Sequence, residues 1–281
     1  VDEYGLIDLA QLRAALNERT LLVSVMLANN EVGTIQPVME IGKLAREAGA
    51  LFHCDAAQGI GKTPFNVRAM NVDLASISAH KLYGPKGIGA LFVRRRLPPI
   101  RLTPLQFGGG HERGLRSGTM NVPAIAGFGA ACAIYQQEGA AETAGVSALR
   151  DRLQTALFAR LDGLTLNGHP ELRHPGNRNI SFSGLEGESL LLAMKAMAVS
   201  AGSACTSAAF EPSHVLAAMG ITPALAHAAR RFGSGRFNTE AEMALTTDKG
   251  RSEAPPSEFQ SLTKHVCVLR LENKDAQASQ C

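Results

Sequence analysis

The chain has 281 residues, 45% hydrophobic and 19% charged, enough to bury one large domain or a large and a small one. Lys plus Arg is 28 and Asp plus Glu is 25, a formal charge of +3; aromatics are only 5% and Trp is absent. That composition argues against direct nucleic-acid binding, which needs a basic face and stacking platforms. No apolar run reaches bilayer-spanning length and no signal-peptide pattern is present, so no membrane partner is expected. The five cysteines, Cys54, Cys132, Cys205, Cys267 and Cys281, are scattered and form no CxxC pair. A disulfide framework or zinc knuckle is therefore not expected, and a reducing compartment is.

The opening VDEYGLIDLAQLRAALNERT reads as a fragment beginning inside a domain, running at once into a strand-like segment with no cap. The apolar run 21–28 (LLVSVMLA) predicts a strand buried on both faces. After Pro37, the stripe Val38, Ile41, Leu44, Ala45 and Ala48 predicts a helix ended by Gly49. Strands follow at 51–55, 74–78 and 88–93, the last running into Arg94–Arg96. Strand–helix–strand repetition with short joins predicts an α/β domain over 1–137 with a mostly parallel sheet, whose ligand sits beyond the carboxyl ends of the strands. From Asn121 the pattern changes to helices at 123–137 and 147–161, strands at 164–167 and 179–183, and a helix at 187–197. This predicts a smaller α+β domain over 138–245. The polar, two-proline stretch 247–257 opens a tail, 246–281, that is not expected to pack, apart from a short apolar island at 266–271.

Ser78-Ala79-His80-Lys81 stands at a predicted strand end and is followed by YGPKGIG. A solitary loop lysine is usually a solvated charge. Here Asp55 ends the neighbouring predicted strand, Gln58 follows about one turn later, and Gly84, Gly87 and Gly89 permit close backbone approach. An Asp and a Lys at neighbouring strand ends suit pyridoxal phosphate chemistry: the amine forms a Schiff base and the carboxylate keeps the ring nitrogen protonated. Cys205, in SAGSACTSAAFEP, lies among small residues typical of a mobile exposed loop, whereas Cys132, in AACAIY, reads as a buried packing residue. Asp73 and Glu31 lack partners of suitable spacing and are given no acid–base role. His111, in GGGHERG, reads as structural or interfacial, and His53, His169, His174, His214, His227 and His265 show no metal spacing.

Taken together, FHCDAAQ, SISAHKLYGPKGIGALFVRRR, GGGHERGLRSGT, EGESLL and SAGSACTSAAFEPSHVL resemble the NifS/IscS-type cysteine desulfurases, members of the class-V aminotransferase family. The resemblance extends over about 1–242 and implies the aspartate-aminotransferase (type I) fold, with 1–137 as the C-terminal part of the large pyridoxal-phosphate domain. It implies that Lys81 carries the Schiff base, Asp55 pairs with the pyridine nitrogen, and Gln58 and Asn30 contact the phenolic oxygen. Ser78 and His80 would bind the phosphate side, His80 counting with Lys81 and Cys205 among the catalytic residues. Thr119 would reach the phosphate in the partner subunit of a homodimer, and Arg231 would clamp the carboxylate of L-cysteine through its bidentate fork. Cys205 would attack the substrate sulfur as a thiolate and retain it as a persulfide, releasing alanine. That persulfide could share ligation of a nascent [2Fe–2S] cluster on an iron–sulfur scaffold protein. Other implied acceptors are sulfur carriers for tRNA thiolation.

The family also carries, before the point matching Val1, an Ala-Thr phosphate turn and a histidine stacking on the cofactor; neither stands in this sequence. Around Arg231 the sequence is AARRFGSGRF where the family typically reads SSIRFSLGRF, and the tail from Met243 departs from the family pattern. Three alternatives follow: a catalytically impaired fragment that only docks to iron–sulfur scaffolds, a selenocysteine lyase, or an aminotransferase. The last needs no thiol at residue 205. The resemblance places the protein in the bacterial cytoplasm, with mitochondria as the alternative compartment.

Overall fold

Alternation along a single strand shows how the first half of the chain is built. In β2 (Leu51–Asp55), Phe52 and Cys54 are fully buried while Asp55 is exposed. Strand neighbours point to opposite faces, so one face of the sheet is core and the other carries the polar residues. The computed structural model describes residues 1–193, 199–200 and 212–243. These divide into two units. The first comprises 7–28 and 36–140; the second comprises 1–6, 29–35 and the described residues from 141 onward.

The first unit begins with α1 (Leu9–Ala15), not with the strand-like, uncapped run expected from sequence. Asp8 caps it, its carboxylate accepting from the backbone N–H of Ala10 at 2.8 Å and of Gln11 at 3.0 Å. β1 (Leu22–Met26), α2 (Val38–Glu47), β2, β3 (Leu74–Ser78) and β4 (Gly89–Val93) follow. The sheet order is β1-β2-β3-β4; β1, β2 and β3 run parallel and β4 antiparallel to β3. The predicted α2 stripe is the buried one: Val38, Ile41, Leu44 and Ala45 turn inward. Val38, Ile41 and Ala45 form one core with Val23, Phe52, Cys54 and Ala75 of the sheet. α2 lies tight enough against the following segment that a Cβ on Gly42 would stand 2.1 Å from the Met70 carbonyl oxygen. β1 corrects a second expectation. Only Val23 is buried, while Leu22 and Met26 are 45% and 38% exposed. Within this unit β1 is an edge strand whose described cover, α2, lies on one face only.

The two helices expected at 123–137 and 147–161 are one, α3 (Val122–Phe158), which crosses the division between the units at 140/141. The sequence between them, EGAAETAGV, holds Gly139 and Gly145 but no proline. Gly lowers helix propensity by about 1 kcal/mol, too little to interrupt a long Ala-rich helix. Cys132, expected to be buried packing, is exposed on α3.

In the second unit, β5 (Leu164–Asn167), β6 (Asn177–Phe182) and β7 (Ala229–Gly233) form an antiparallel sheet in that order. All six β6 residues are buried, yet the strand alternates strictly. Ile180 and Phe182 join a core with Leu153, Leu157, Leu190 and Phe232, whereas Asn177, Asn179 and Ser181 point to the other face. α4 begins at Gly187 and is described to Ala193, so the end of the predicted 187–197 helix lies outside the described residues. β6 starts two residues earlier than expected. α5 (His214–Ala218), α6 (Pro223–His227) and β7 were not anticipated. α5 is capped by Ser213, and α6 has Pro223 in its first turn, both ordinary helix-start devices. The predicted tail lies outside the described residues.

Candidate active site

In the first unit the candidate residues gather at the carboxyl edge of the parallel strands. Asp55 is the last residue of β2, and its carbonyl oxygen accepts from Leu27 N–H at 2.8 Å, extending the β1–β2 ladder. Its side chain is exposed, lies on the face opposite the apolar core and accepts from Ala57 N–H at 3.0 Å. That bond starts the turn holding the half-buried Gln58. Ser78 ends β3, the neighbour of β2; Asp55 is registered with Ser76, two residues earlier on the same face of β3.

Immediately after β3 a 3-10 turn, Ala79–Leu82, buries Ala79 and Leu82 and leaves His80 and Lys81 exposed. Ser78 Oγ and His80 Nδ1 are 2.9 Å apart, so hydroxyl and imidazole act as one pair. Tyr83 closes the turn with φ +60°, a left-handed conformation uncommon for a bulky residue, and the Lys62 ammonium lies 4.1 Å from its ring centroid. Gly84 N–H returns to the Ala79 carbonyl at 2.9 Å, and a Cβ on Gly89 would stand 2.4 Å from the Ile77 carbonyl oxygen. The backbone behind Lys81 is therefore packed without room for side chains. Thr119 lies exposed in the loop before α3.

Behind this edge runs a polar row centred on His53, a residue with no metal-ligand spacing in the sequence. His53 Nδ1 is 2.8 Å from Ser24 Oγ and its Nε2 is 2.8 Å from Ser76 Oγ, so one imidazole bridges β1, β2 and β3. Its signal was present in the spacing: residues 53 and 55 share a strand face.

The second unit holds the other candidates. The half-buried Arg231, on β7, donates from Nη1 to the Asn30 carbonyl at 2.7 Å. Asn29 Oδ1 accepts from the N–H groups of Glu31 and Val32 at 2.8 and 3.0 Å, forming the turn that carries Asn30. Glu31 is 1% exposed and accepts from Ser213 Oγ at 2.6 Å. Arg231 also exchanges both backbone hydrogen bonds with Ser200, at 2.8 and 3.2 Å. Cys205 lies outside the described residues. Arg230, where the family pattern has an apolar residue, is 2% exposed and donates to the carbonyls of His227, Ala229 and Gly187. Asp73, in the first unit, is buried, accepts from Phe52 N–H at 3.1 Å and pairs with Arg94 and Arg96, each at 3.5 Å. No group of three metal-ligating side chains occurs among the described residues.

The sequence profile described as Aminotransferase class-V matches residues 1–245. The chain belongs to this family. Its fold is the type I fold of the class-V aminotransferases, a mostly parallel sheet with helices followed by a smaller α+β part. Among curated class-V relatives, "Cysteine desulfurase IscS" of Anaeromyxobacter sp. (strain Fw109-5) is 60% identical over 243 residues, covering 86% of this chain and 60% of the relative. The solved NifS-like protein from Rickettsia africae ESF-5 is 32% identical with a TM-score of 0.77, over 87% of this chain and 65% of that one. A second structure named NifS-like protein is 38% identical with a TM-score of 0.75, over 87% and 64%. The chain thus spans about 60% of the length of the curated relatives it matches.

A class-V site for pyridoxal phosphate needs a carboxylate, hydroxyl or imidazole donors and an amine on one edge. Asp55, the Ser78–His80 pair and Lys81 supply that set, on backbone that admits no added Cβ at Gly89. The residues present fit the group.

Proposed function

We propose that this protein is a pyridoxal-phosphate-dependent cysteine desulfurase, converting L-cysteine to L-alanine and leaving the sulfur as a persulfide on Cys205. The observation that carries the proposal is the gathering of Asp55, Ser78, His80 and Lys81 at the carboxyl edge of adjacent parallel strands, in a chain 60% identical to a relative named cysteine desulfurase. When bound, pyridoxal phosphate supplies an electron sink for negative charge at the substrate carbon. Asp55 holds a proton at the ring nitrogen, Ser78 and His80 bind the phosphate, and Asn30 and Gln58 orient the phenolic oxygen. The Lys81 amine attaches the cofactor and moves the substrate Cα proton. Arg231 binds the substrate carboxylate through its planar fork. The Cys205 thiolate attacks the substrate sulfur; an S–S bond forms as the S–C bond breaks, the bonding pair goes to carbon, and protonation gives alanine.

By the same reading the enzyme is a cytoplasmic homodimer in which Thr119 serves the partner's phosphate, with 1–137 as its large-domain portion and 138–245 as its small domain. It passes sulfur to iron–sulfur scaffold proteins and tRNA-thiolation carriers, and Cys205 shares ligation of a nascent [2Fe–2S] cluster as cargo. The relatives named cysteine desulfurase IscS support the activity on which these assignments rest. A second reading, a chain that docks to scaffolds without catalysis, is favoured by the departure of AARRFGSGRF from the family pattern around Arg231.

One experiment separates the two. The chain is incubated with pyridoxal phosphate, reduced with borohydride, and mapped by mass spectrometry, and alanine and persulfide are assayed from L-cysteine. The proposal expects a pyridoxyl adduct on Lys81 and a loss of turnover of about 10³-fold in Lys81→Ala. Cys205→Ser is expected to keep the adduct and lose the persulfide. An adduct scattered over other lysines, with no alanine formed, would leave the docking reading.

A further inference from the structure

We infer that Asn179 is a positioning residue that holds the Asn30 turn and, through it, the guanidinium of Arg231. The roles of Asn30 and Arg231 in substrate and cofactor binding rest on the desulfurase reading; the coupling between them rests on the geometry. Asn167, Asn179 and Arg231 are Cα partners across β5, β6 and β7, one rung on one face of the sheet. Asn179 is fully buried. Its Oδ1 accepts from Asn167 Nδ2 at 2.8 Å, which fixes the amide so that Nδ2 donates to the Glu31 carbonyl at 3.2 Å. The neighbouring carbonyl, that of Asn30, accepts from Arg231 Nη1 at 2.7 Å. Asn177, two residues along β6, donates more weakly to both carbonyls, at 3.4 and 3.3 Å.

Two adjacent residues of one rung thus hold two consecutive carbonyls of one turn. An arginine that must meet a carboxylate with both arms needs its fork set in advance, and a carbonyl that can swing does not set it. Asn179 removes that freedom by anchoring the next peptide unit, and Asn167 in turn anchors Asn179. A buried amide without this task would be costly, since each unpaired polar group there loses its solvation without return.

The control is Ser181. It is also fully buried and accepts from the same Asn167 amide at 2.8 Å, two residues further along β6. A merely structural network would respond alike to loss of either side chain. Amide exchange is measured at Glu31 and Val32, whose N–H groups cap onto Asn29 Oδ1, together with kcat and KM for L-cysteine in the chain supplied with pyridoxal phosphate. Asn179→Ala is expected to speed exchange at both amides about tenfold more than Ser181→Ala does, and to raise KM about tenfold with kcat changed less than about twofold. Asn167→Ala, which keeps Asn179 but frees its amide, is expected to do the same to a smaller extent and serves if Asn179→Ala does not fold. Equal exchange in the Asn179 and Ser181 variants, or an unchanged KM in an Asn179→Ala chain that turns over cysteine, would overturn the inference. If exchange responds as expected but wild-type chain neither captures the cofactor nor releases alanine, the desulfurase reading fails and the positioning of the turn stands.

Discussion

Cys54 and Asp55 are adjacent, yet their side chains belong to different environments. Burial, and secondarily the Asp55 charge, pushes the Cys54 thiol up to about 12. It is a core residue beside the site and carries no nucleophile. Cys132, exposed on α3, is the accessible one of this pair. Thiol labelling at about pH 8, read by peptide mapping, is expected to modify Cys132 and spare Cys54 until the chain is unfolded. A pKa raised above the unfolded value of about 9 means the stability held by the Cys54 proton is complete below about pH 9 and is lost as pH climbs toward about 12. Cys54→Ala is expected to flatten that alkaline loss, measured by urea unfolding at about pH 8 and about pH 10.5. At this scale the sequence was informative where a chemical group sits at a strand end, as with Asp55, Ser78 and Lys81. It was silent where the partner is distant along the chain. Nothing near Arg231 announces the Asn30 carbonyl, and nothing near Glu31 announces Ser213.

Elements were legible where periodicity and punctuation agreed. β2, β3 and β5 match their predicted bounds because apolar runs end at turn residues. α2 was read from its apolar stripe and Gly49. α1 was missed because Asp8 signals a cap only once a following helix is assumed. α5 and α6 are five residues each, too short for a periodic pattern to register. The two helices expected over α3 are one, and the two glycines between their expected bounds differ. A Cβ on Gly139 would stand 2.2 Å from the Tyr135 ring, whereas one on Gly145 meets nothing within 4 Å. Gly145→Ala is therefore expected to stabilise the protein by about 0.5–1 kcal/mol, and Gly139→Ala to destabilise it by about 1–3 kcal/mol, both read from urea midpoints.

At the scale of the molecule, the segment between β4 and α3 carries apolar side chains that find no cover among the described residues. Leu97, Leu105 and Phe107 are 92%, 95% and 79% exposed. Large apolar groups displayed this fully are typical of surfaces that meet another protein. They suit the homodimer proposed above, in which Thr119, at the end of the same segment, would serve the second subunit. Leu105→Ser with Phe107→Ser is expected to weaken self-association at least about tenfold in sedimentation equilibrium, with the fold intact by circular dichroism. An unchanged association constant would remove this segment from the interface. None of this exposure could be read from composition, because an apolar residue in a loop looks the same whether it is covered or bare.

In both sheets each strand lies beside the strand that precedes it in the chain. Among the described strands the joins within the first sheet and between β5 and β6 are short, so their entropic toll is small, whereas β7 reaches β6 only after residues 183–228. Each sheet can be laid down plank by plank, in the order in which a ribosome delivers its strands.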